Sequence, residues 1–178
     1  PALGVVAGEQ NLGGGDVVMA HGSTIAFTTG DSEFSNRFML DGDPAFDVAT
    51  GITTTLTGVI ADAPSPAAAG VLEKTGAGTL VLAAANTYSG GTTLTDGILR
   101  VGVDTVGTPG SITSSAIGTG ALAFDGGTLQ AGGDYTLANA ISLASTDGAV
   151  DANGHAFALS GLISGNHGLT FSDSQGGG

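Results

Sequence analysis

The chain has 178 residues, 33 of them Gly, and 3 Lys plus Arg stand against 16 Asp plus Glu, for a formal net charge of −13. So few cations exclude nucleic acid and anionic membrane surfaces as partners, since both are bound by displacing counterions with basic side chains. The absence of Cys removes disulfides, thiol nucleophiles, thiolate zinc sites and iron–sulfur clusters, while 41% hydrophobic against 11% charged residues describes a chain that buries a core.

No stretch approaches the roughly 20 apolar residues of a membrane helix, so no membrane insertion by this segment is expected. The start, Pro1-Ala2-Leu3-Gly4, has neither an initiator Met nor a basic leader, and the end, Gln175-Gly176-Gly177-Gly178, breaks off in a turn-like run. The expectation is an internal or processed piece of a longer protein. Apolar residues rarely keep a helical period for ten positions, so few or no helices are expected.

Along the chain, short alternating runs recur at Thr24-Ile25-Ala26-Phe27, Thr79-Leu80-Val81-Leu82, Ile98-Leu99-Arg100-Val101, Ala121-Leu122-Ala123-Phe124 and Gly168-Leu169-Thr170-Phe171. Each is bounded by turn residues such as Gly76-Ala77-Gly78, Asp96-Gly97 and Asp125-Gly126-Gly127. That is the signature of brief β-strands. Residues 61–69, Ala61-Asp62-Ala63-Pro64-Ser65-Pro66-Ala67-Ala68-Ala69, form a Pro/Ala segment read as an inserted loop, in which Asp62 is expected to be dispensable.

Sliding the sequence by 103 positions superposes Gly15 on Gly118, Asp31 on Asp134, Asn36 on Asn139, Leu40 on Leu143, Leu56 on Leu159 and Gly58 on Gly161. A repeat that long divides into five coils of about 20 residues, each with two or three strands. The fold class read from this is all-β: residues 1–178 form a single parallel β-helix, a solenoid of about eight coils and, at about 4.8 Å per coil, about 40 Å long. Ala, Val, Leu and Ile fill inward columns, while Gly, Asn and Asp take corners. Leu72, Leu80, Leu82, Leu94, Ile98 and Val101 are the expected inward residues, and Gly76, Gly78, Gly90, Gly91 and Gly97 the expected corners.

Residues 70–102 contain Lys74-Thr75-Gly76-Ala77-Gly78-Thr79-Leu80-Val81-Leu82, then Asn86-Thr87-Tyr88-Ser89-Gly90-Gly91-Thr92, then Asp96-Gly97-Ile98-Leu99-Arg100-Val101. This run resembles the passenger-associated transport repeat of bacterial autotransporters. The resemblance implies a right-handed β-helix, export by type V secretion, and a C-terminal outer-membrane β-barrel in the same precursor. It places the protein at the cell surface or outside the cell, attached to or released from the outer membrane. Partners would be host or neighbouring-cell surface molecules or other copies of the chain.

The residues offer little chemistry of their own. Asp41-Gly42-Asp43-Pro44-Ala45-Phe46-Asp47 and Gly13-Gly14-Gly15-Asp16 lack the ligand spacing of calcium loops and are read as solvated turns. His21, His155 and His167 form no metal motif, and no G-x-S-x-G occurs. Arg37, Lys74 and Arg100 are too few to hold a polyanionic sugar, and the Thr53-Thr54-Thr55 and Thr92-Thr93 runs do not recur as an ice-binding ladder. Catalytic residues, metal sites and cofactors are therefore expected to be none, and the function a non-enzymatic structural and adhesive segment. The alternatives are a glycan-active β-helix enzyme and a subunit of a surface layer or filament.

Overall fold

The computed structural model describes residues 2–7, 12–64 and 68–176, and among them there is no helix. Strands of three to six residues are joined by corners, and along each side of the solenoid they pair in parallel with strands one turn above or below. The first side is an eight-stranded sheet of Ala2–Ala7, Thr24–Thr29, Ala45–Val48, Val71–Thr75, Gly91–Leu94, Leu122–Phe124, Ile141–Leu143 and Ile163–Gly165. Eight strands on one side enclose seven complete turns. The second side has seven strands, Ser32–Phe34, Thr53–Leu56, Thr79–Leu82, Ile98–Val101, Thr128–Ala131, Gly148–Asp151 and Leu169–Ser172. The third side holds two shorter sheets, one of Val17–Met19, Phe38–Leu40 and Ile60–Asp62 and one of Tyr135–Leu137 and Phe157–Leu159.

Period-2 alternation decides which side chains enter the interior. On the first side Ile25, Phe46, Lys74, Leu94 and Phe124 stand in one register column, and on the second Thr54, Leu80, Leu99, Leu129 and Val150 do the same. All ten are 0–1% exposed. Leu72, Leu82 and Val101 are inward as expected, but Ile98 is half-buried and faces out while Leu99 is fully buried. The phase is set by Gly97, whose φ of +68° ends the corner so that Ile98 registers with outward Thr79 and Leu99 with inward Leu80. Among the expected corner glycines, Gly76, Gly91 and Gly97 have positive φ. Gly78 and Gly90 do not; a Cβ there would strike the carbonyl oxygens of Ala49 and Gly70, so backbone proximity is what demands Gly.

The 103-residue offset has a structural meaning different from five whole coils. It carries Ala45–Val48 on the first side to Gly148–Asp151 on the second, Thr53–Leu56 on the second to Phe157–Leu159 on the third, and Ile60–Asp62 on the third to Ile163–Gly165 on the first. The shift is four turns and one side. Equivalent corners reuse the same bonds: Asp31 Oδ1 accepts from Thr53 N at 2.7 Å, and Asp134 Oδ1 from Ala156 N at 2.9 Å. Gly58 sits where a Cβ would meet Asn36 O, and Gly161 where one would meet Asn139 O. The repeating unit is thus one side with its corner.

Turn lengths vary from 19 residues, Leu122 to Ile141, to 30, Thr92 to Leu122. The longest turn carries an antiparallel hairpin, Val106–Thr108 with Ser111–Ser114, which projects from the third side. Another long turn carries the Pro/Ala segment. Ala61 and Asp62 belong to the preceding Ile60–Asp62 strand, paired with Met39 and Leu40, so the inserted segment begins only after Asp62. Of that segment, residues 65–67 lie outside the described residues.

Candidate functional site

Between residues 60 and 117 four polar side chains bind neighbouring coils together. Lys74 lies in the inward column between Phe46 and Leu94 and is fully buried. Its Nζ donates to Thr75 O at 2.8 Å, Gly76 O at 2.6 Å and, in the next coil, Asp96 O at 3.1 Å. An ammonium has three donors, and all three are used at a corner whose carbonyls converge because Gly76 has a φ of +71°. The second, Asn86, is 1% exposed; its Oδ1 accepts from Ile60 N at 2.7 Å and its Nδ2 donates to Ala116 O at 2.6 Å. Its backbone pairs antiparallel with Ser115, across the base of the hairpin.

The third, Tyr88, is fully buried, its Oη 2.7 Å from Thr92 Oγ1, which donates onward to Ile117 O at 3.1 Å. Burial pushes the Tyr88 phenol well above its ordinary value, against a smaller opposing pull from the Thr92 hydrogen bond. Because Thr92 Oγ1 donates to Ile117 O, the Tyr88 hydroxyl is the donor to Thr92. The fourth, Asp62, accepts from Gly70 N at 2.7 Å and Ser89 N at 3.0 Å through Oδ1, and from Ser89 Oγ at 2.8 Å through Oδ2. It closes the base of the Pro/Ala segment with three hydrogen bonds, where the sequence reading places a dispensable loop residue.

Burial lowers the Lys74 ammonium from 10.5 to about 8, with Asp96 and Asp47 pulling the other way. The folded chain therefore releases this proton more readily than the unfolded one. The cost of burying the charge is fully present below pH 8 and fades as pH rises toward 10.5. Melting temperatures of the wild type and of Lys74→Met, measured at pH 7 and at about pH 10, should show the difference moving in favour of the wild type at the higher pH. A constant difference would mean that the charge on Lys74 is not what burial penalises.

A second polar line runs along the outer second side. Arg100 Nε donates to Gln130 Oε1 at 2.7 Å, and Gln130 Nε2 donates to Asp151 Oδ2 at 2.7 Å. Asp151 also accepts from Ser174 N, Ser174 Oγ and Asn153 N. Desolvation opposes its ionisation, but these hydrogen bonds outweigh that and hold the carboxyl near 2.

The other sequence candidates occupy corners. His21 Nδ1 lies 2.6 Å from Asp43 Oδ1, while His155 and His167 each stand 3.5 Å from Asp134 and Asp147. Asp43, Asp134 and Asp147 each also accept a backbone N–H from an adjacent coil, from Gly22, Ala156 and Gly168. Asp104 does so for Thr136 and Asp173 for Gly154. Much of the −13 charge is thus spent on capping corner amides. Among the described residues no group of three or more His, Asp or Glu is placed to hold a metal ion, and no helix is long and apolar enough to cross a membrane.

Three of the four stitching side chains, Lys74, Asn86 and Tyr88, fall within a stretch that matches a known family. Residues 72–101 match the model of the passenger-associated-transport-repeat family, and the chain carries that repeat. Over 94 residues, 53% of the chain, it is 35% identical to the adhesin BmaC autotransporter of Brucella suis biovar 1 (strain 1330), of whose length it spans 2%. No solved structure matches the chain.

Three of the four stitches, Lys74, Asn86 and Tyr88, are pattern positions of the repeat that the sequence shows without their roles. Alternation through Val71, Leu72, Glu73 and Lys74 does point Lys74 inward; only the habit of placing Lys outside argues against it.

Proposed function

We propose that the chain is a non-enzymatic structural and adhesive segment of an autotransporter passenger, exported by type V secretion and held at the bacterial surface. A β-barrel C-terminal in the same precursor would anchor it in the outer membrane. The observation that carries this reading is the transport repeat at residues 72–101, seated on the coil that the buried side chains tie to both neighbours. Similarity to an autotransporter adhesin supports the adhesive part. A solenoid suits the task physically: each coil contacts only its neighbours, so a chain arriving end first can add coils one at a time on the edge already formed. Adhesion would use the sides and the projecting hairpin, and the partners would be surface molecules of host or neighbouring cells, or other copies of the chain.

The test fuses residues 1–178 between a signal peptide and an autotransporter barrel. Antibody labelling of intact cells and increased adherence to epithelial monolayers are expected. Labelling only after the outer membrane is opened would overturn the export reading. Cleavage of a polysaccharide by the purified chain would replace it with the enzyme reading, and ordered end-to-end polymers under electron microscopy with the filament reading.

A further inference from the structure

Asp followed by Gly is the pair at which a backbone most readily rearranges, because Gly has no side chain to shield its amide nitrogen from the preceding carboxyl. The chain has four such pairs, Asp41-Gly42, Asp96-Gly97, Asp125-Gly126 and Asp147-Gly148. The fold treats them differently. Asp41 Oδ1 accepts from Ala68 N at 3.0 Å and Asp147 Oδ1 from Gly168 N at 2.7 Å, so both carboxyls are turned to other parts of the chain. Of the four, only Asp96 holds the amide that follows it, with Gly97 N 2.7 Å from Oδ1. Asp104 makes the same contact with Thr105 N at 3.0 Å, but there a branched side chain crowds the nitrogen. The Asp96-Gly97 amide is also gripped at its other end, where Asp96 O accepts from the Lys74 ammonium at 3.1 Å. Lys74 is fully buried and fixed there by its bonds to Thr75 O and Gly76 O, whereas Asp96 is exposed, so water reaches the corner.

We infer that Asp96-Gly97 is a self-modification site, at which the Lys74 ammonium promotes conversion of Asp96 to isoaspartate. The chemistry balances with water as the only co-reactant. Gly97 N gives up its proton and bonds to Asp96 Cγ, and that proton leaves with the carboxyl's hydroxyl as water, closing a succinimide ring. Water then adds at the former backbone carbonyl, the bond from that carbon to Gly97 N breaks, and the chain runs on through the side-chain carbonyl. Gly97 N already lies against the carboxyl it attacks, which supplies proximity. The attacking form is the amide anion, whose charge lies largely on oxygen, and an ammonium on Asp96 O stabilises it. The same ammonium polarises the carbonyl at which water later adds, directing ring opening toward isoaspartate. In the product that oxygen belongs to a free α-carboxylate facing Lys74, so the tie between the coils becomes an ion pair.

The test warms the purified 178-residue chain below its melting point in mildly acidic buffer, with a parallel sample unfolded in guanidinium chloride. Isoaspartate is read by isoaspartate methyltransferase labelling and peptide mapping, which resolves the four Asp-Gly sites. In the folded chain Asp96 should convert roughly 10-fold or more faster than Asp41, Asp125 or Asp147. It should also convert faster folded than unfolded. Lys74→Met, held below its own melting point, should slow conversion at Asp96 by roughly 5-fold or more and leave the other three sites unchanged. Equal rates at the four sites, or slower conversion of Asp96 in the folded chain than in the unfolded one, would overturn the inference, because the corner would then shield the bond. Both of those readouts use the wild type and do not depend on the variant. An unchanged Asp96 rate in folded Lys74→Met would overturn the promoting role of the ammonium.

Discussion

Replacing Leu80 with Asp is expected to destabilise the fold by about 4 kcal/mol or more, the largest effect of any single change considered. Leu80 is fully buried, with Thr54 and Leu99 as its register partners on the coils below and above. A carboxylate there has no cation within its column and loses the packing of a whole Leu side chain. Asp62→Ala makes the informative contrast, because its carboxylate lies at a partly exposed corner and accepts three hydrogen bonds from Gly70 and Ser89. Solvent can replace those partners, so a loss of about 1–2 kcal/mol is expected. Thermal or denaturant melts of both variants decide the matter: equal midpoints would reject the inward assignment of Leu80, and an Asp62→Ala midpoint equal to the wild type would reject the corner role of Asp62. Because each coil leans only on its neighbours, hydrogen exchange in Leu80→Asp should rise first in the Thr53–Leu56 and Ile98–Val101 strands.

The architecture is legible in the sequence because it is written in short-range terms. A strand of four residues between two turn signals needs no knowledge of distant chain, and Thr79-Leu80-Val81-Leu82 declares its inward pair by alternation alone. The same economy explains the errors. Hydrophobicity alone points Ile98 inward because it does not distinguish it from Leu99; the positive φ at Gly97 does. The 103-residue repeat reads as whole coils in the sequence because a linear match carries no information about which side of the solenoid a residue occupies. The antiparallel hairpin at Val106–Thr108 and Ser111–Ser114 is not legible in the sequence because its Thr, Ser and Gly match those of an ordinary corner.

Variable turn length hides a further regularity. Thr53, Thr79, Ile98, Thr128, Ala149 and Thr170 register as one outward column on the second side, although their spacing along the chain runs from 19 to 30 residues. A fixed-period search passes over them. The stitching residues were hidden for a different reason. Asn86 and Lys74 are polar, and the partners through which they reach neighbouring coils are backbone carbonyls and amides 22 to 30 residues away, which carry no side-chain identity to read.

Asn86 is where that hidden layer can be measured. Its side chain answers two buried backbone groups at once, Ile60 N in the coil before and Ala116 O beyond the hairpin, and both Ile60 and Ala116 are fully buried. Asn86→Ala leaves a donor and an acceptor without partners and without access to water, for an expected loss of about 2–5 kcal/mol. Asn86→Asp separates the two halves of the interaction. Its carboxylate still accepts from Ile60 N, but it faces Ala116 O across a distance that suits only a donor, and the two oxygens repel. The protonated acid restores the donor. Folding therefore favours the protonated form, which raises the folded-state pKa of the new Asp above its unfolded value. The stabilisation from that proton is fully present below the unfolded pKa and is lost as pH climbs through the folded one. Asn86→Asp should accordingly melt below Asn86→Ala at pH 7 and gain on it steadily as the buffer is acidified toward pH 4. If the two variants instead keep a constant separation across that range, the Asn86 side chain is not the bridge between the coils on either side of the hairpin.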